Sequence, residues 1–215
     1  MTRRALLALA AALPACSVLP ERPYQEPQRF VLAPERPAMP APGRPAVPAP
    51  ARRGPVLLLR TLRAAPGLEQ RGLRVLGPAG VVTYEFWSEW TAPPADLAEE
   101  ALRRWLVASG RFGAVTAPGS RLRSDLILEG ELTRLQAEPA NGLARAALSA
   151  LLLADGTGES RVLGQFLVEG TAALPGGPRG DGRIVPAEAA AAMTAALGTA
   201  FGRLEGALAG SIPRR

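Results

Sequence analysis

The chain has 215 residues, 47% of them apolar, and a formal net charge of +6 at pH 7. This apolar content is ample for one packed domain, and the basic residues, all arginines, are scattered, which argues against a nucleic-acid-binding protein. With no histidine and one cysteine, the sequence excludes a Ser-His-Asp triad, a Cys-His pair and zinc sites built from Cys and His.

The first residues follow the order of a secretory signal peptide. Two arginines precede an apolar run, Ala5 to Leu13, that is too short to span a bilayer, and Ala15 lies directly before Cys16. The stretch Leu-Pro-Ala-Cys resembles the lipobox of bacterial lipoproteins, in which the cysteine is acylated and becomes the mature N-terminus. We therefore predict a signal peptide over residues 1–15, a covalent lipid on Cys16 and no other cofactor.

Residues 16–55 are predicted to form a lipidated N-terminus and a proline-rich tether. Eleven of the 22 prolines lie between Pro20 and Pro55, and proline fits neither a helix interior nor a central strand. At about 3.1 Å per residue in the polyproline II conformation, such a tether would reach on the order of 100 Å. Phe30, Val31 and Leu32 are the exception, because they predict a short edge strand.

A folded domain is predicted from residue 56 to residue 211. Its strands are expected at Val56–Arg60, Leu73–Leu76, Val81–Phe86, Phe112–Val115, Ser124–Leu135, Leu143–Leu153 and Arg161–Thr171. The last three alternate apolar and polar residues, which is typical of an antiparallel sheet with one face more exposed. Val162, Phe166 and Val168 are expected to share one face of the last strand.

Two helices are predicted within this domain. The first follows Thr91, its expected cap, with Pro93 and Pro94 in the opening turn, and its apolar stripe continues up to Gly110. The second runs from Pro186 to Gly210 with similar spacing. The order of strands, helix, strands and helix predicts an α+β domain, in which two helices pack on one face of a mainly antiparallel sheet.

Little in the sequence suggests catalysis. The carboxylate pairs Glu99/Glu100 and Glu129/Glu131 are interpreted as solvated surface, because the first lies early in a helix and the second on the polar face of a strand. The glycine-rich stretches lack the further residues of a dinucleotide or phosphate loop and are interpreted as turns. We therefore predict a binding or assembly role and not an enzyme.

The segment from Pro66 to Leu106 contains Pro66-Gly67-Leu68, a short strand and a tight turn, then Tyr84, Trp90 and Pro93-Pro94 before an amphipathic helix. This arrangement resembles the ABC-type transport auxiliary lipoproteins, the family of the PqiC/YmbA-like lipoproteins of MCE-type lipid transport systems. The resemblance implies a non-catalytic lipoprotein that docks a periplasmic assembly at the outer membrane. Such systems move phospholipids or other hydrophobic molecules across the cell envelope.

The resemblance also implies partners and a location. The partners would be an MCE-domain protein with its ABC permease and ATPase, and membrane lipid through the anchor, with a homo-oligomer as a further option and no nucleic acid. Ser17 stands where an aspartate would signal retention at the inner membrane, which favours the periplasmic face of the outer membrane.

Trp87, Trp90, Pro93 and Pro94, at the expected junction of strand and helix, are the candidate residues for contact with a partner or with lipid. Tryptophan is enriched at interaction hot spots. The alternative for Trp90 is that it packs the first helix onto the sheet. Two other functions remain open: an outer-membrane assembly lipoprotein that chaperones or plugs a β-barrel, and a direct carrier with its own lipid cavity.

Overall fold

The computed structural model describes residues 24–37, 54–156 and 160–212, so the predicted signal peptide, Cys16 and Ser17 lie outside the described residues. The described chain forms an α+β fold of nine strands and two α-helices. The strands are β1 Gln28–Phe30, β2 Val56–Leu59, β3 Arg63–Ala64, β4 Gly72–Leu76, β5 Val82–Trp90, β6 Ala114–Thr116, β7 Leu126–Glu138, β8 Leu143–Asp155 and β9 Ser160–Ala173. The helices are α1 Pro94–Ala108 and α2 Pro186–Ser211.

The strands form one sheet around β7. One edge of β7 pairs antiparallel with β8, which pairs antiparallel with β9. The other edge pairs in turn with β2, β3 and β4, all parallel to β7. Beyond these, β6 lies next to β2, while β5 and then β1 lie next to β4. Most paired residues belong to the three antiparallel pairs, so the expected mainly antiparallel sheet is confirmed, with parallel pairs added on one side of β7.

Both helices pack on the sheet and share one core. α2 lies over β8 and β9, α1 lies near β3, β6 and β7, and the two helices contact each other. Pro94 occupies the first turn of α1 as expected, but Thr91 is not its cap, because the N-cap position is Pro93 and has no side-chain hydrogen bond. Gly110, with φ of 64°, follows the end of α1 and suits the left-handed conformation there.

Gly170 allows α2 to approach the sheet closely. A Cβ atom added at this position on β9 would lie 2.0 Å from the carbonyl oxygen of Ala196 and 2.5 Å from the amide nitrogen of Ala200. Both distances are far below van der Waals contact. Only glycine therefore permits this spacing between helix and strand.

A β-bulge in β9 changes which residues share a face. Leu152 pairs with Gly164 but Leu153 pairs with Val162, so Leu163 is the additional residue. Because an extra residue reverses the alternation of side chains, Val162 lies on the opposite face from Phe166. The expectation that Val162 joins the apolar face is therefore wrong, and Leu163 packs against the core in its place.

Residues 24–37 belong to the folded domain. β1 pairs in parallel with the end of β5, which confirms the expected edge strand two residues earlier than predicted. Leu32 is 1% exposed and lies in the main core. Residues 31–37, here called the arm, continue to Arg36, which donates to the Ala108 carbonyl at 2.8 Å. The domain thus includes residues before the predicted boundary at residue 56, and the expected 100 Å reach is wrong.

Candidate functional site

The β4–β5 hairpin determines where Trp87 points. Gly72 pairs with Glu89 and Arg74 pairs with Tyr84, so Leu73 alone lies opposite the four residues 85–88. A bulge of this size bends the strand and turns side chains away from the regular alternation. The sequence pattern predicted the hairpin but contained no signal for the bulge.

Phe86 and Trp87 form an exposed aromatic pair at this bulge. Their ring centroids lie 4.8 Å apart with an interplanar angle of 84°, which is an edge-to-face arrangement. Phe86 is 80% exposed and Trp87 is 43% exposed. Val81, beside the hairpin turn, is a further exposed apolar residue. Phe86 was not among the predicted site residues, although its position next to Trp87 was a signal that could have found it.

The other predicted contact residues divide between surface and core. Pro93 is exposed at the start of α1, whereas Pro94 is buried in its first turn. Trp90 is 1% exposed, packs in the core, and donates its backbone N–H to the Arg71 carbonyl at 2.8 Å. The assignment of Trp90 and Pro94 to a partner-binding surface is therefore corrected, because their side chains pack inside the domain.

A second surface feature is an open, mostly apolar groove of about 800 Å³ between the arm and α2. We call it the arm–α2 groove. Pro34 and Pro37 form part of one wall, and Trp105 of α1 also lines the groove. The α2 wall consists of small residues: Ala187, Ala190, Ala191, Thr194, Ala195, Gly198, Thr199 and Gly202. Their spacing of three and four residues was visible in the sequence, but the arm that completes the groove was assigned to the tether.

Glu205 holds the walls of this groove together. Its carboxylate is buried and accepts hydrogen bonds from Arg36 at 2.7 Å, from the Trp105 indole N–H at 2.9 Å and from Arg111 at 3.2 Å. The Trp105 ring also packs edge-to-face against Phe201, with centroids 5.6 Å apart. Because one carboxylate binds groups from both the arm and α1, hydrogen bonds within the folded chain hold the walls of the groove in place.

On the face of the sheet opposite the helices, Glu138 belongs to a network of polar side chains. It accepts hydrogen bonds from Gln136 at 2.8 Å, Asn141 at 2.9 Å and Arg145 at 3.1 Å, and Arg145 also pairs with Glu169. Burial raises the pKa of Glu138, but these hydrogen bonds and the charge of Arg145 outweigh it and lower the pKa below its ordinary value. The network is a satisfied structural cluster that stabilises the β7–β8 connection.

The carboxylate pairs singled out in the sequence are engaged in ion pairs. Glu99 accepts hydrogen bonds from Arg103 at 2.8 Å and from the backbone N–H of Leu62 at 3.0 Å, so it joins α1 to the chain before β3. The other three carboxylates, Glu100, Glu129 and Glu131, pair with Arg104, Arg60 and Arg63 respectively. These carboxylates therefore have structural partners at the surface.

Among the described residues, no cluster of three or more His, Cys, Asp or Glu side chains is arranged to hold a metal ion. Neither helix of the described chain has the length and apolar character to cross a membrane.

Comparisons with known proteins bear on the fold. No family model and no curated protein matches this chain. Among solved structures, protein XCC0632 from Xanthomonas campestris, described as DUF330, is similar with a TM-score of 0.64 at 23% identity, over 83% of this chain and 94% of that chain. An uncharacterized protein gives a TM-score of 0.56 at 12% identity, over 85% and 99% of the two chains. The chain therefore shares its fold with these proteins.

Proposed function

We propose that the chain is a non-catalytic auxiliary lipoprotein of an MCE/ABC-type transport system that moves phospholipid or other hydrophobic molecules. Anchored through Cys16 at the periplasmic face of the outer membrane, it docks the periplasmic MCE-domain assembly there. The resemblance of Pro66 to Leu106 to this family supports the proposal. So does the fold shared with a DUF330 protein, since DUF330 is the family of PqiC/YmbA-like proteins.

The observation that carries the docking role is the arm–α2 groove. Its volume of about 800 Å³ lies within the range of about 300–1,000 Å³ typical of ligand pockets. Because the α2 wall consists of alanine, glycine and threonine, the side chains of a partner segment can approach the helix backbone closely. We assign the groove to an apolar segment of the MCE-domain protein.

The walls of the groove are held before any partner arrives. Leu32 anchors the arm in the core, and Glu205 links Arg36 to Trp105. A preformed site lowers the conformational entropy that binding must overcome. Among the described residues that line the groove, Glu35 is the one that carries a charge, so shape and apolar contact would dominate recognition.

A pair of glycine variants on α2 tests the role of the groove. A Cβ atom at Gly202 would lie 3.9 Å from Trp105 inside the groove, whereas a Cβ atom at Gly206, one turn later, would meet nothing within 4 Å. The experiment is co-purification of the MCE-domain protein with the full-length lipoprotein from detergent-solubilised membranes. We expect Gly202→Leu to weaken binding about tenfold or more, equivalent to about 1.4 kcal/mol, and Gly206→Leu to retain it.

The controls separate the proposal from its rivals. Equal recovery with both variants would remove the groove from the docking role. If the wild-type chain recovers no MCE-domain protein, the proposed function is wrong. Recovery of a β-barrel outer-membrane protein instead would favour the assembly-lipoprotein alternative, and lipid retained by the chain in native mass spectrometry would favour the carrier.

A further inference from the structure

We propose that the exposed aromatic edge of the β4–β5 hairpin lies in the interfacial layer of the bilayer that carries the lipid anchor. The aromatic edge consists of Val81, Phe86 and Trp87. This inference rests on the proposed function, because it takes Cys16 as the acylated residue. The aromatic edge is a different surface from the arm–α2 groove, so contact with the membrane and docking of the partner would involve different residues.

The length of chain between the anchor and the fold limits where the domain can lie. Cys16 and Tyr24 are eight residues apart. A fully extended chain spans at most about 3.6 Å per residue, so this connection cannot exceed about 30 Å in any conformation. Since Leu32 and β1 are part of the domain, the proline-rich residues after Pro37 add nothing to this reach. The domain is therefore held next to the bilayer.

The strand directions show which end of the domain faces the anchor. β1 runs parallel to β5, with Gln28 opposite Ser88 and Phe30 opposite Trp90. The residues before Gln28 therefore enter from the end of β5 that carries Phe86, Trp87 and the hairpin turn. The chain that leads from the anchor therefore reaches the sheet at the end that exposes the aromatic edge. β9 lies several strands away, at the opposite lateral edge of the sheet.

The chemistry of the aromatic edge fits the headgroup region and not the hydrocarbon interior. Tryptophan is enriched at membrane–water interfaces, where its ring is partly buried and its N–H remains hydrated. β1 covers β5 only from Ser88 to Trp90, so the preceding residues of β5 have no neighbouring strand on that side within the described ranges. Their backbone groups need water or polar headgroups, which the interfacial layer supplies.

Tryptophan fluorescence of the full-length acylated protein tests this placement. The chain has three tryptophans: Trp90 is 1% exposed, Trp105 is 4% exposed at the wall of the arm–α2 groove, and Trp87 is 43% exposed, so quenching that depends on the aromatic edge must disappear in Trp87→Phe. The protein is reconstituted in phosphatidylcholine vesicles with or without brominated acyl chains, which quench nearby indoles. We expect bromine to reduce the wild-type emission and to leave the emission of Trp87→Phe unchanged, at low and at high salt alike.

A matched pair of reporters provides the control. In the Trp87→Phe background, a new tryptophan is placed by Phe86→Trp or by Leu167→Trp. The two positions are 80% and 81% exposed but lie at opposite edges of the sheet. We expect brominated lipid to quench the reporter at position 86 and aqueous acrylamide to quench the reporter at position 167. Equal bromine quenching at both positions, or none in the wild type, would overturn the proposal.

Two further measurements separate this inference from the proposed function. If bromine leaves the wild-type emission unchanged while Trp87→Phe loses the MCE-domain protein in co-purification, the aromatic edge contacts protein. That result overturns the lipid placement and leaves the proposed function standing. If mass spectrometry of the purified protein shows no acyl chain on Cys16, both the anchoring role and this inference fail.

Discussion

Truncation of Leu32 tests whether the arm is part of the folded domain. Leu32 is 1% exposed within the core, whereas the adjacent Val31 is 65% exposed. A buried Leu→Ala change costs about 2–5 kcal/mol, because it removes apolar contacts and leaves a cavity. The same truncation at an exposed position changes the free energy of unfolding by about 0.5 kcal/mol or less. We therefore expect Leu32→Ala to be strongly destabilising and Val31→Ala to be nearly neutral.

The assay is thermal unfolding of the full-length protein in mild detergent, followed by circular dichroism. For a chain of this size, each kcal/mol shifts Tm by roughly 2–4 °C, so Leu32→Ala should lower Tm by about 4–20 °C. Val31→Ala, its neighbour in the chain, should change Tm by about 2 °C or less. If the two variants unfold at the same temperature, the arm is not part of the core, and the short connection between the anchor and the domain is wrong.

Two further predictions concern the packing of β9 on α2 and the polar network around Glu138. Gly170→Ala should lower the free energy of unfolding by about 1–3 kcal/mol or more, because its Cβ would meet the Ala196 carbonyl. Gly206→Ala, on the open face of α2, should raise the free energy of unfolding by up to about 1 kcal/mol. Urea denaturation midpoints compare the two variants, and equal midpoints would contradict the close packing of β9 on α2. Glu138→Gln should cost about 1–3 kcal/mol at neutral pH. Because the pKa of Glu138 is lowered in the folded protein, the stabilisation from its carboxylate is present above the ordinary pKa of 4.5 and is lost as pH falls through the native pKa. The urea midpoints of the wild type and Glu138→Gln should therefore converge in acid. A difference in midpoint that stays constant across pH would show that the effect does not come from the ionised carboxylate.

The helices illustrate what local pattern can predict. Apolar residues at three- and four-residue spacing correctly predicted that Met193, Leu197, Phe201, Leu204 and Leu208 would share the buried face of α2. This works because the period of a helix is a property of the chain itself and depends little on which element lies opposite.

The strands show where the pattern of apolar and polar residues fails to predict which side chains are buried. The alternation of β9 is interrupted at Leu163 and that of β5 at residues 85–88, and both interruptions depend on the register with a neighbouring strand. A bulge has no period of its own, so Val162 was assigned to the wrong face and Phe86 was not recognised as exposed. Trp87 was undecided between surface and core, because a tryptophan near the end of a strand can pack inward or outward until its neighbours are known, whereas the packing interpretation of Trp90 agrees with its burial.

The sequence by itself predicted the α+β class, both helices and all the strands except β3, and it predicted a lipid anchor on Cys16. It also excluded a histidine-based centre and zinc sites built from Cys and His. Only the tertiary structure decided that residues 24–37 join the domain, since the burial of Leu32 and the ion pair of Arg36 with Glu205 unite residues far apart in the chain. The proline content around the arm describes local stiffness, whereas membership of the core is a matter of contacts with distant residues. Those contacts leave eight residues between Cys16 and Tyr24, and this short connection is the basis of the proposed placement of the aromatic edge at the bilayer.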